Sequence, residues 1–409
     1  MRVLDLFCGM GGLSLGLAFA LRDAEIHGVD IDPHAVATYN LNLHRLGCRA
    51  ERADLLTWST DGEYDIVVGG PPCQPWSLAN TKNSGSRHPL YPTFQRYFDI
   101  IKSIVPAAFV FENVRGLVAQ KFKPLLDIQL RSLAETYRVK SAILNAVDYG
   151  VPQKRQRVIV IGIRRDLGAE PVFPSQTHAE HELPLLDGRK LHRWLTVREA
   201  IGDLLDTPPT IVHRGHSGGR KTSLVSDGPS YTLGTMSSGG RGRTTMYLLV
   251  SDHDTGEKKL LRTNPRHGKP LDLDGPSRTV KVDGRGGDFC FDTMLLPLDL
   301  PATAILGDPR MSTHEHHYRR NQYYFRRLTV RECMRLQSFP DWWMFPEDVS
   351  VSRRYKLVGE AVPPVFAYRI AVALGKALGL PVREPPREDD WGLPYFRRAF
   401  ADYCLNGVW

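Results

Sequence analysis

Residues 69–77, GGPPCQPWS, place a single cysteine, Cys73, in a loop with three prolines that directly follows an apolar run. The run at residues 64–68, YDIVV, is short, β-branched and closed by two glycines, which is typical of a buried strand. Proline fixes φ, so such a loop holds a thiol in one direction at a low entropy cost. A thiol held in this way is a candidate nucleophile, although a cysteine taken alone is more often a small buried apolar residue.

Three further apolar runs each end in a polar or Gly-rich element, and helical patterns lie between them. Alternating strands and helices predict a doubly wound, parallel α/β sheet. Ligands bind beyond the carboxyl ends of the strands in such sheets. We therefore expect one site on this rim of the sheet. The reactive side chains at or near the strand ends are Asp5, Asp30, Cys73 and Glu112.

The loop after the first strand indicates what binds at this rim. Gly9, Gly11 and Gly12 allow a tight turn and a close approach of the backbone to a ligand, although a plain strand-to-helix turn would look similar. Asp30, at the end of the second strand, can accept hydrogen bonds from ribose hydroxyls. A Gly-x-x-x-x-Gly-Lys-Ser/Thr loop does not occur in the chain, which disfavours a nucleoside triphosphate. The pattern suits a nucleoside cofactor without phosphates.

Eight segments, in one order along most of the chain, resemble the motifs of the DNA (cytosine-5)-methyltransferase family. They are DLFCGMGGLSLG at 5–16, DI at 30–31, ADL at 53–55, GGPPCQPWS at 69–77, FENV at 111–114, VPQKRQRV at 151–158, RRLTVRECMRLQSFP at 326–340 and YKLVGEAVPP at 355–364. The resemblance implies a Rossmann-like, S-adenosylmethionine-dependent methyltransferase domain of α/β class. It also implies a smaller target-recognition domain that is mainly β or irregular.

The resemblance implies S-adenosyl-L-methionine as the cofactor and assigns roles to individual residues. Cys73 would be the nucleophile, Glu112 would bind the cytosine, Arg157 would donate to its exocyclic oxygen, and Arg155 would hold a phosphate or the loop. The expected catalytic residues are thus Cys73, Glu112, Arg155 and Arg157. The expected cofactor-binding residues are Asp5, Phe7, Gly9, Gly11, Gly12, Asp30, Ile31, Asp54, Leu55, Pro72, Glu360 and Ala361.

Methylation of cytosine needs residues of these types. Carbon-5 of cytosine is a poor nucleophile until a thiolate adds to carbon-6 and makes carbon-5 enamine-like. A carboxyl group at ring nitrogen 3 stabilises the charge that builds during attack. A base in a stacked duplex is out of reach, so the target must be flipped out. The residues do not identify the base that removes the carbon-5 proton, and water can serve.

Composition excludes several classes of protein. The length of 409 residues predicts two domains or one enlarged domain. A hydrophobic content of 42% is enough for a sizeable core. No uninterrupted apolar run of membrane-spanning length and no secretory signal are expected. The six cysteines form no C-x-x-C pair, so we expect reduced thiols, no zinc and a cytoplasmic protein, associated with the nucleoid in a prokaryote. The histidines at 314–317 lack a second ligand pair, and metal binding is not expected there.

The charge pattern points to double-stranded DNA as the partner. The formal net charge is +8, and basic and aromatic residues alternate at 319–327, which favours phosphate contact over a merely solvated surface. DGPSYT at 227–232 and DGPSRT at 274–279 suggest two similar turn-and-strand units, or a chance likeness of two turns. We expect a monomer on DNA, and a cognate restriction endonuclease is a candidate partner.

The motif order divides the chain into four parts. Residues 1–185 are expected to form the catalytic and cofactor-binding domain, and 186–345 the target-recognition domain. Residues 346–385 would complete the catalytic domain. The tail at 386–409 extends past the last motif, and two roles are open for it: docking on the large domain, or contact with a partner.

Two residues depart from the family pattern. Glu360 stands where the family's last motif usually has Asn, and Trp76 stands where Phe is commoner. Three alternatives to DNA methylation stay open: an RNA methyltransferase of the same family, a relative that transfers a modified group, and a non-catalytic DNA-binding relative. The long recognition interval argues against the first, and the presence of Cys73, Glu112 and Arg157 argues against the last.

Overall fold

The computed structural model describes residues 1–76, 84–204, 329–384 and 386–404, together with the backbone of seven strands between 205 and 328. These strands are β12 (Ile211–Val212), β13 (Leu224–Val225), β14 (Tyr247–Ser251), β15 (Lys258–Arg262), β16 (Ser277–Arg278), β17 (Val280–Val282) and β18 (Phe289–Phe291). The predictions that concern residues 227–232, 314–317 and 319–327 lie outside the described residues.

A seven-stranded sheet forms the centre of the protein, in the order β3-β2-β1-β4-β5-β8-β6. Its strands are β1 (Arg2–Leu6), β2 (Glu25–Asp30), β3 (Cys48–Arg52), β4 (Ile66–Gly69), β5 (Ala108–Val114), β6 (Tyr137–Asn145) and β8 (Gln156–Arg164). The first five in that order are parallel, as expected. Strand β8 is the exception to the predicted parallel arrangement, since it runs antiparallel to both β5 and β6. Residues 146–155 join β6 to β8 without an α-helix, as an antiparallel connection allows.

Apolar side chains cover both faces of this sheet. Val3 and Val68 point into one core cluster and Leu4 and Val67 into another, as the alternation of side chains along a strand requires. Helices α1 (Gly12–Ala20) and α2 (Pro33–Leu43) contribute to the first cluster, and α3 (Tyr91–Ile104) and α4 (Lys123–Leu133) to the second. The rim at the carboxyl ends of the parallel strands is therefore held rigidly from both sides.

The later helices return to the first face of the sheet. They are α5 (Val197–Ile201), α6 (Val330–Leu336), α7 (Val351–Glu360) and α8 (Pro364–Ala377). Helix α8 lies so close to α1 that a Cβ built on Gly16 would be 2.5 Å from Ala367 Cβ. Leu195 and Leu336, near the two ends of the predicted recognition interval, are buried in the same cluster. The boundaries at 186 and 345 stay a prediction.

By length and composition alone, the stretch Val351–Ala377 would suffice to span a membrane. It consists of α7 and α8, which are separated by residues 361–363, and 78% of its most apolar window is buried inside the protein. Its buried residues belong to the first core cluster, beside α1.

Short elements complete the described part. Strands β9 (His178–Ala179), β10 (Leu183–Pro184) and β11 (Lys190–Arg193) form a small sheet, and β7 (Gln153–Lys154) pairs with β16. The tail contains α9 (Glu388–Trp391), α10 (Phe396–Ala399) and α11 (Ala401–Cys404).

The described part of the tail docks on the catalytic domain. Trp391 is fully buried, with its ring 4.8 Å from that of Phe19 in α1. Arg369 in α8 donates to both carboxylate oxygens of Asp402, at 2.8 and 2.7 Å. These contacts are consistent with the first of the two roles left open for the tail, and contact with a partner stays open.

Candidate functional site

The loop that carries Cys73 is fixed on both sides of the thiol. Before Cys73, the buried Asn113 Nδ2 donates to the Pro71 carbonyl oxygen at 2.9 Å. After Cys73, the Trp76 amide donates to the Cys73 carbonyl oxygen at 3.0 Å, and the buried Trp76 ring lies 4.9 Å from Phe94. Sequence reasoning missed Asn113, although its place directly after Glu112 was a usable signal. The two anchors hold the loop in position, and Cys73 remains exposed between them.

Glu112 and Arg157 form a nearly buried ion pair beside this loop. Arg157 Nε lies 2.7 Å from Glu112 Oε1. Strands β5 and β8 bring the two together, because antiparallel pairing sets Arg157 opposite Val114, two residues from Glu112. A Cβ on Gly70 would lie 2.9 Å from Glu112 Oε2, so the backbone that leads to Cys73 passes close to this carboxylate. The pair thus adjoins the backbone that leads to Cys73.

Charged neighbours act on the Cys73 thiol in opposite directions. The surrounding protein raises its pKa above the ordinary value by desolvation, although the thiol is exposed at the surface of the site. Arg157 and Arg155 lower this pKa, whereas Glu112 and Glu360 raise it. Since the net shift is upward, the thiol is protonated at rest, and its proton must leave as attack begins.

Arg155 holds the end of helix α7. Its Nη1 donates to the Gly359 carbonyl oxygen at 3.1 Å and its Nη2 to the Ala361 carbonyl oxygen at 2.9 Å. The side chain is only 2% exposed, and burial lowers its pKa. A cation that donates to the last carbonyls of a helix stabilises its C-terminus. Arg155 was expected to hold either a phosphate or the loop. In the structure it holds the segment around Glu360.

The Gly-rich loop takes up a backbone form that few residues adopt. Phe7, Gly9 and Gly11 all have positive φ, at 59°, 54° and 96°. For Phe7 this costs backbone strain, since left-handed backbone is unusual for residues other than glycine. A Cβ on Gly12 would lie 2.1 Å from the Val362 carbonyl oxygen, so this loop and the segment after α7 pack directly together.

Asp30 connects two loops of the site. Its Oδ2 accepts a hydrogen bond from the Gly9 amide and its Oδ1 one from the Asp32 amide, both at 2.9 Å. Burial raises its pKa, and the two amides oppose that shift. Arg353 in α7 in turn donates to Asp32. The carboxylate expected to bind ribose is thus held in position by the Gly-rich loop itself.

Asp5 does not line the surface of the site. It is 1% exposed, and its Oδ2 accepts a hydrogen bond from Ser14 Oγ at 2.6 Å. Tyr39 Oη donates to the same Ser14 hydroxyl at 2.9 Å. Burial raises the pKa of Asp5 to about 7. Strand alternation turns this side chain inward, where its hydrogen bond to Ser14 supports the start of α1 from within the core. Contact between Asp5 and the cofactor stays a prediction.

The other expected cofactor residues differ in exposure. Ile31 is 60% exposed and Asp54 is exposed, whereas Leu55 is buried and Pro72 is partly buried. The Ala53 amide donates to the Asp30 carbonyl oxygen at 3.0 Å, which brings the loops after β2 and β3 together.

Glu360 is the last residue of α7, and its side chain is 44% exposed. Its Oε1 lies 3.8 Å from Lys356 Nζ. Burial raises the pKa of Glu360, while Lys356 and Arg353 oppose the shift. Ala361, the next residue, is partly buried. The described residues contain no group of three or more His, Cys, Asp or Glu side chains suited to hold a metal ion.

The family model for C-5 cytosine-specific DNA methylase matches residues 1–376. The chain belongs to this family. Its members use S-adenosylmethionine and act on DNA, so the enzyme is a DNA (cytosine-5)-methyltransferase of the kind found in restriction–modification systems.

Named relatives agree with this assignment. The chain is 29% identical over 379 residues to the Type II methyltransferase M.MthTI of Methanothermobacter thermautotrophicus. The aligned region covers 92% of this chain and 98% of that protein. It is 30% identical over 387 residues to the Type II methyltransferase M1.HphI of Haemophilus parahaemolyticus, with coverage of 91% and 86%. The fold is similar to that of the Dnmt2 methyltransferase of S. pombe, at a TM-score of 0.53 and 19% identity over 92% of this chain and 99% of that one.

Proposed function

We propose that this enzyme transfers a methyl group from S-adenosylmethionine to carbon-5 of a cytosine flipped out of duplex DNA, through a covalent bond between Cys73 and carbon-6. The observation that carries the proposal is the 2.7 Å Glu112–Arg157 pair beside the fixed Cys73 loop. A nucleophile, a carboxyl group and a guanidinium are the three groups that this chemistry needs.

The Gly-rich rim fits the cofactor. Around Gly9, a Cβ would meet no atom within 4 Å, so the loop leaves open space beside a backbone of positive φ. Asp30 can accept hydrogen bonds from the ribose hydroxyls, and Phe7 and Ile31 can pack against the adenine. We assign Gly11, Gly12, Asp54, Leu55, Pro72 and Ala361 to the walls of the same site. S-adenosylmethionine supplies an electrophilic methyl group on a sulfonium centre.

Cys73 begins the reaction in this proposal. Its sulfur bonds to carbon-6 of the cytosine as its proton passes to water, and the electrons of the 5,6 double bond shift toward carbon-5 and the ring. Glu112, protonated or sharing its proton with ring nitrogen 3, stabilises the charge that develops on the ring. Arg157 donates to the exocyclic oxygen and keeps Glu112 in place.

Release of the product reverses the addition. After carbon-5 is methylated, a base, which can be water, removes the carbon-5 proton. The electron pair re-forms the 5,6 double bond, and the carbon-6–sulfur bond breaks. Cys73 leaves as a thiolate and is ready for another cycle. Proline residues on both sides keep the sulfur aimed through these steps at a low entropy cost.

Mass spectrometry of nucleosides from cells that express the protein tests this function. The wild type should produce 5-methylcytosine in DNA, and Cys73→Ala should produce none. Bisulfite sequencing of the same DNA identifies the target sequence. Modified cytosine in RNA alone, a heavier cytosine derivative, or no product at all would each contradict the proposal. Pairing with a restriction endonuclease and a monomeric state on DNA stay predictions.

A further inference from the structure

Glu360 lies between the two halves of the proposed site. Its chain neighbours, Gly359 and Ala361, are fixed by hydrogen bonds from Arg155, which precedes the catalytic Arg157 by two residues. One residue further on, the Val362 carbonyl oxygen lies against Gly12 of the cofactor loop. The backbone of Glu360 therefore spans from the catalytic arginines to the cofactor loop.

The Glu360 carboxylate acts electrostatically on both sides of this junction. Its charge raises the pKa of Cys73, which follows β4, and the charge of Asp30, which ends β2, raises the pKa of Glu360. Strand β1 lies between β2 and β4 in the sheet. Gly12, which the Val362 carbonyl oxygen approaches, begins α1 just after β1. Glu360 thus contributes negative charge close to the cofactor loop, where a methyl donor must sit if its methyl group is to reach a base held on Cys73.

A carboxylate at this position is locally unfavourable. Glu360 is the last residue of α7, and the C-terminus of a helix carries partial negative charge. Lys356 offers weak compensation, since the pair is partly exposed, 3.8 Å long, and has lysine on the N-terminal side. A negative charge at a helix C-terminus that lacks an equally strong compensating contact is a feature expected at functional positions.

We propose that Glu360 favours the cationic sulfonium cofactor over its neutral thioether product, and so reduces product inhibition. The inference rests on the proposed function. Methyl transfer removes one positive charge from the sulfur, so a nearby carboxylate attracts the cofactor and not S-adenosylhomocysteine. An asparagine, which is neutral, would not make this distinction. Glu360 is thus a specificity-determining residue of the cofactor site.

Calorimetric titration with S-adenosylmethionine and with S-adenosylhomocysteine tests this inference. We expect Glu360→Gln to lower the ratio of the product Kd to the cofactor Kd by about tenfold, with a smaller loss of product affinity than of cofactor affinity. Glu360→Asn should lower the Kd ratio as Glu360→Gln does. Lys356→Gln, which removes the cation beside Glu360, should raise the ratio. Glu347→Gln, outside the site, is the matched control and should leave it unchanged.

Two results would overturn the inference. One is an unchanged affinity for both ligands in Glu360→Gln, and the other is an equal weakening of both, which would indicate altered shape rather than charge; in each case the Kd ratio stays at the wild-type value. Thermal unfolding without ligand identifies a variant that is merely unstable, and Lys356→Gln then carries the test. If the ratio is unchanged while the wild type still makes 5-methylcytosine, this inference fails and the proposed function stands.

Discussion

Arg157 Nε lies 2.7 Å from Glu112 Oε1 across strands β5 and β8, and both side chains are nearly buried. A buried pair of this kind is tolerated only while both partners are present, since removal of one leaves an uncompensated charge. The same two groups border the backbone of the Cys73 loop at Gly70. The pair therefore combines a structural requirement with the proposed catalytic one.

Glu112→Gln should reveal both requirements, each by its own measurement. We expect kcat to fall by about 10²–10³-fold, because the amide cannot share a proton with ring nitrogen 3. The free energy of unfolding should fall by about 3 kcal/mol, because Arg157 loses its charged partner. Single-turnover kinetics and chemical denaturation measure the two effects. Asp127→Asn breaks an exposed 2.7 Å pair with Lys123 and should cost at most about 0.5 kcal/mol with full activity.

Arg155→Met should weaken cofactor binding and leave DNA binding intact. The variant loses both hydrogen bonds to the segment around Glu360, so the cofactor Kd should rise by about tenfold. Arg155→Lys should behave similarly, because lysine lacks the planar fork. If Arg155 contacted a DNA phosphate instead, the salt dependence of DNA binding would drop by about one unit. Fluorescence anisotropy over a range of salt concentrations distinguishes the two roles.

Gly16→Ala should destabilise the protein by about 1–3 kcal/mol. The new Cβ would lie 2.5 Å from both Ala367 Cβ and the Tyr368 nitrogen, which forces α1 and α8 apart. Gly202→Ala is the matched control, since its Cβ would meet only Arg198 Cγ, at an ordinary 3.5 Å. Equal denaturation midpoints for the two variants would show that the α1–α8 contact is looser than described.

Stability should depend on pH through Asp5. Burial raises its pKa to about 7 in the folded protein, above its value of about 4 in the unfolded chain, so the folded state binds more protons between these values. Its stabilising contribution is therefore complete below about pH 4 and is lost as the pH rises through 7. Relative to Asp5→Asn, the wild type should lose about 3 kcal/mol between pH 5 and pH 8.

The control for Asp5 is an exposed carboxyl group. Arg189 holds the pKa of Asp187 below its ordinary value, so this group is ionised in both states over the same range. Asp187→Asn should follow the wild-type profile of unfolding free energy against pH. A wild type and an Asp5→Asn variant with parallel profiles would contradict the protonation of Asp5.

The sequence was sufficient where local signals decide the structure. Gly69 and Gly70 mark the end of β4, and the prolines around Cys73 mark its loop, so the candidate nucleophile could be placed at a strand end. The positive φ of Gly9 and Gly11 agrees with the tight turn expected of a Gly-rich loop. Such features depend on neighbouring residues, which the sequence displays directly.

The sequence was insufficient where distant segments meet. The sequence predicts that Arg155 holds a phosphate or the loop. In the structure it donates to two carbonyl oxygens that lie more than 200 residues later in the chain, a contact that no local pattern indicates. The antiparallel direction of β8 shows in its pairing with β5, and the spacing of apolar residues along the sequence does not indicate the direction in which two strands pair. Likewise, Asp5 carries a chemically active group, but the register of β1 turns it into the core beside Ser14.

Covalent capture of the enzyme tests the central claim most directly. Duplex DNA with 5-fluorocytosine at the target base blocks the final elimination, because fluorine replaces the proton that must leave carbon-5. With S-adenosylmethionine present, the wild type should form a denaturation-resistant complex, and peptide mapping should find the base on Cys73. Cys73→Ala should bind the DNA yet form no such complex. Equal capture by Cys73→Ala and the wild type would contradict the role of Cys73 as nucleophile.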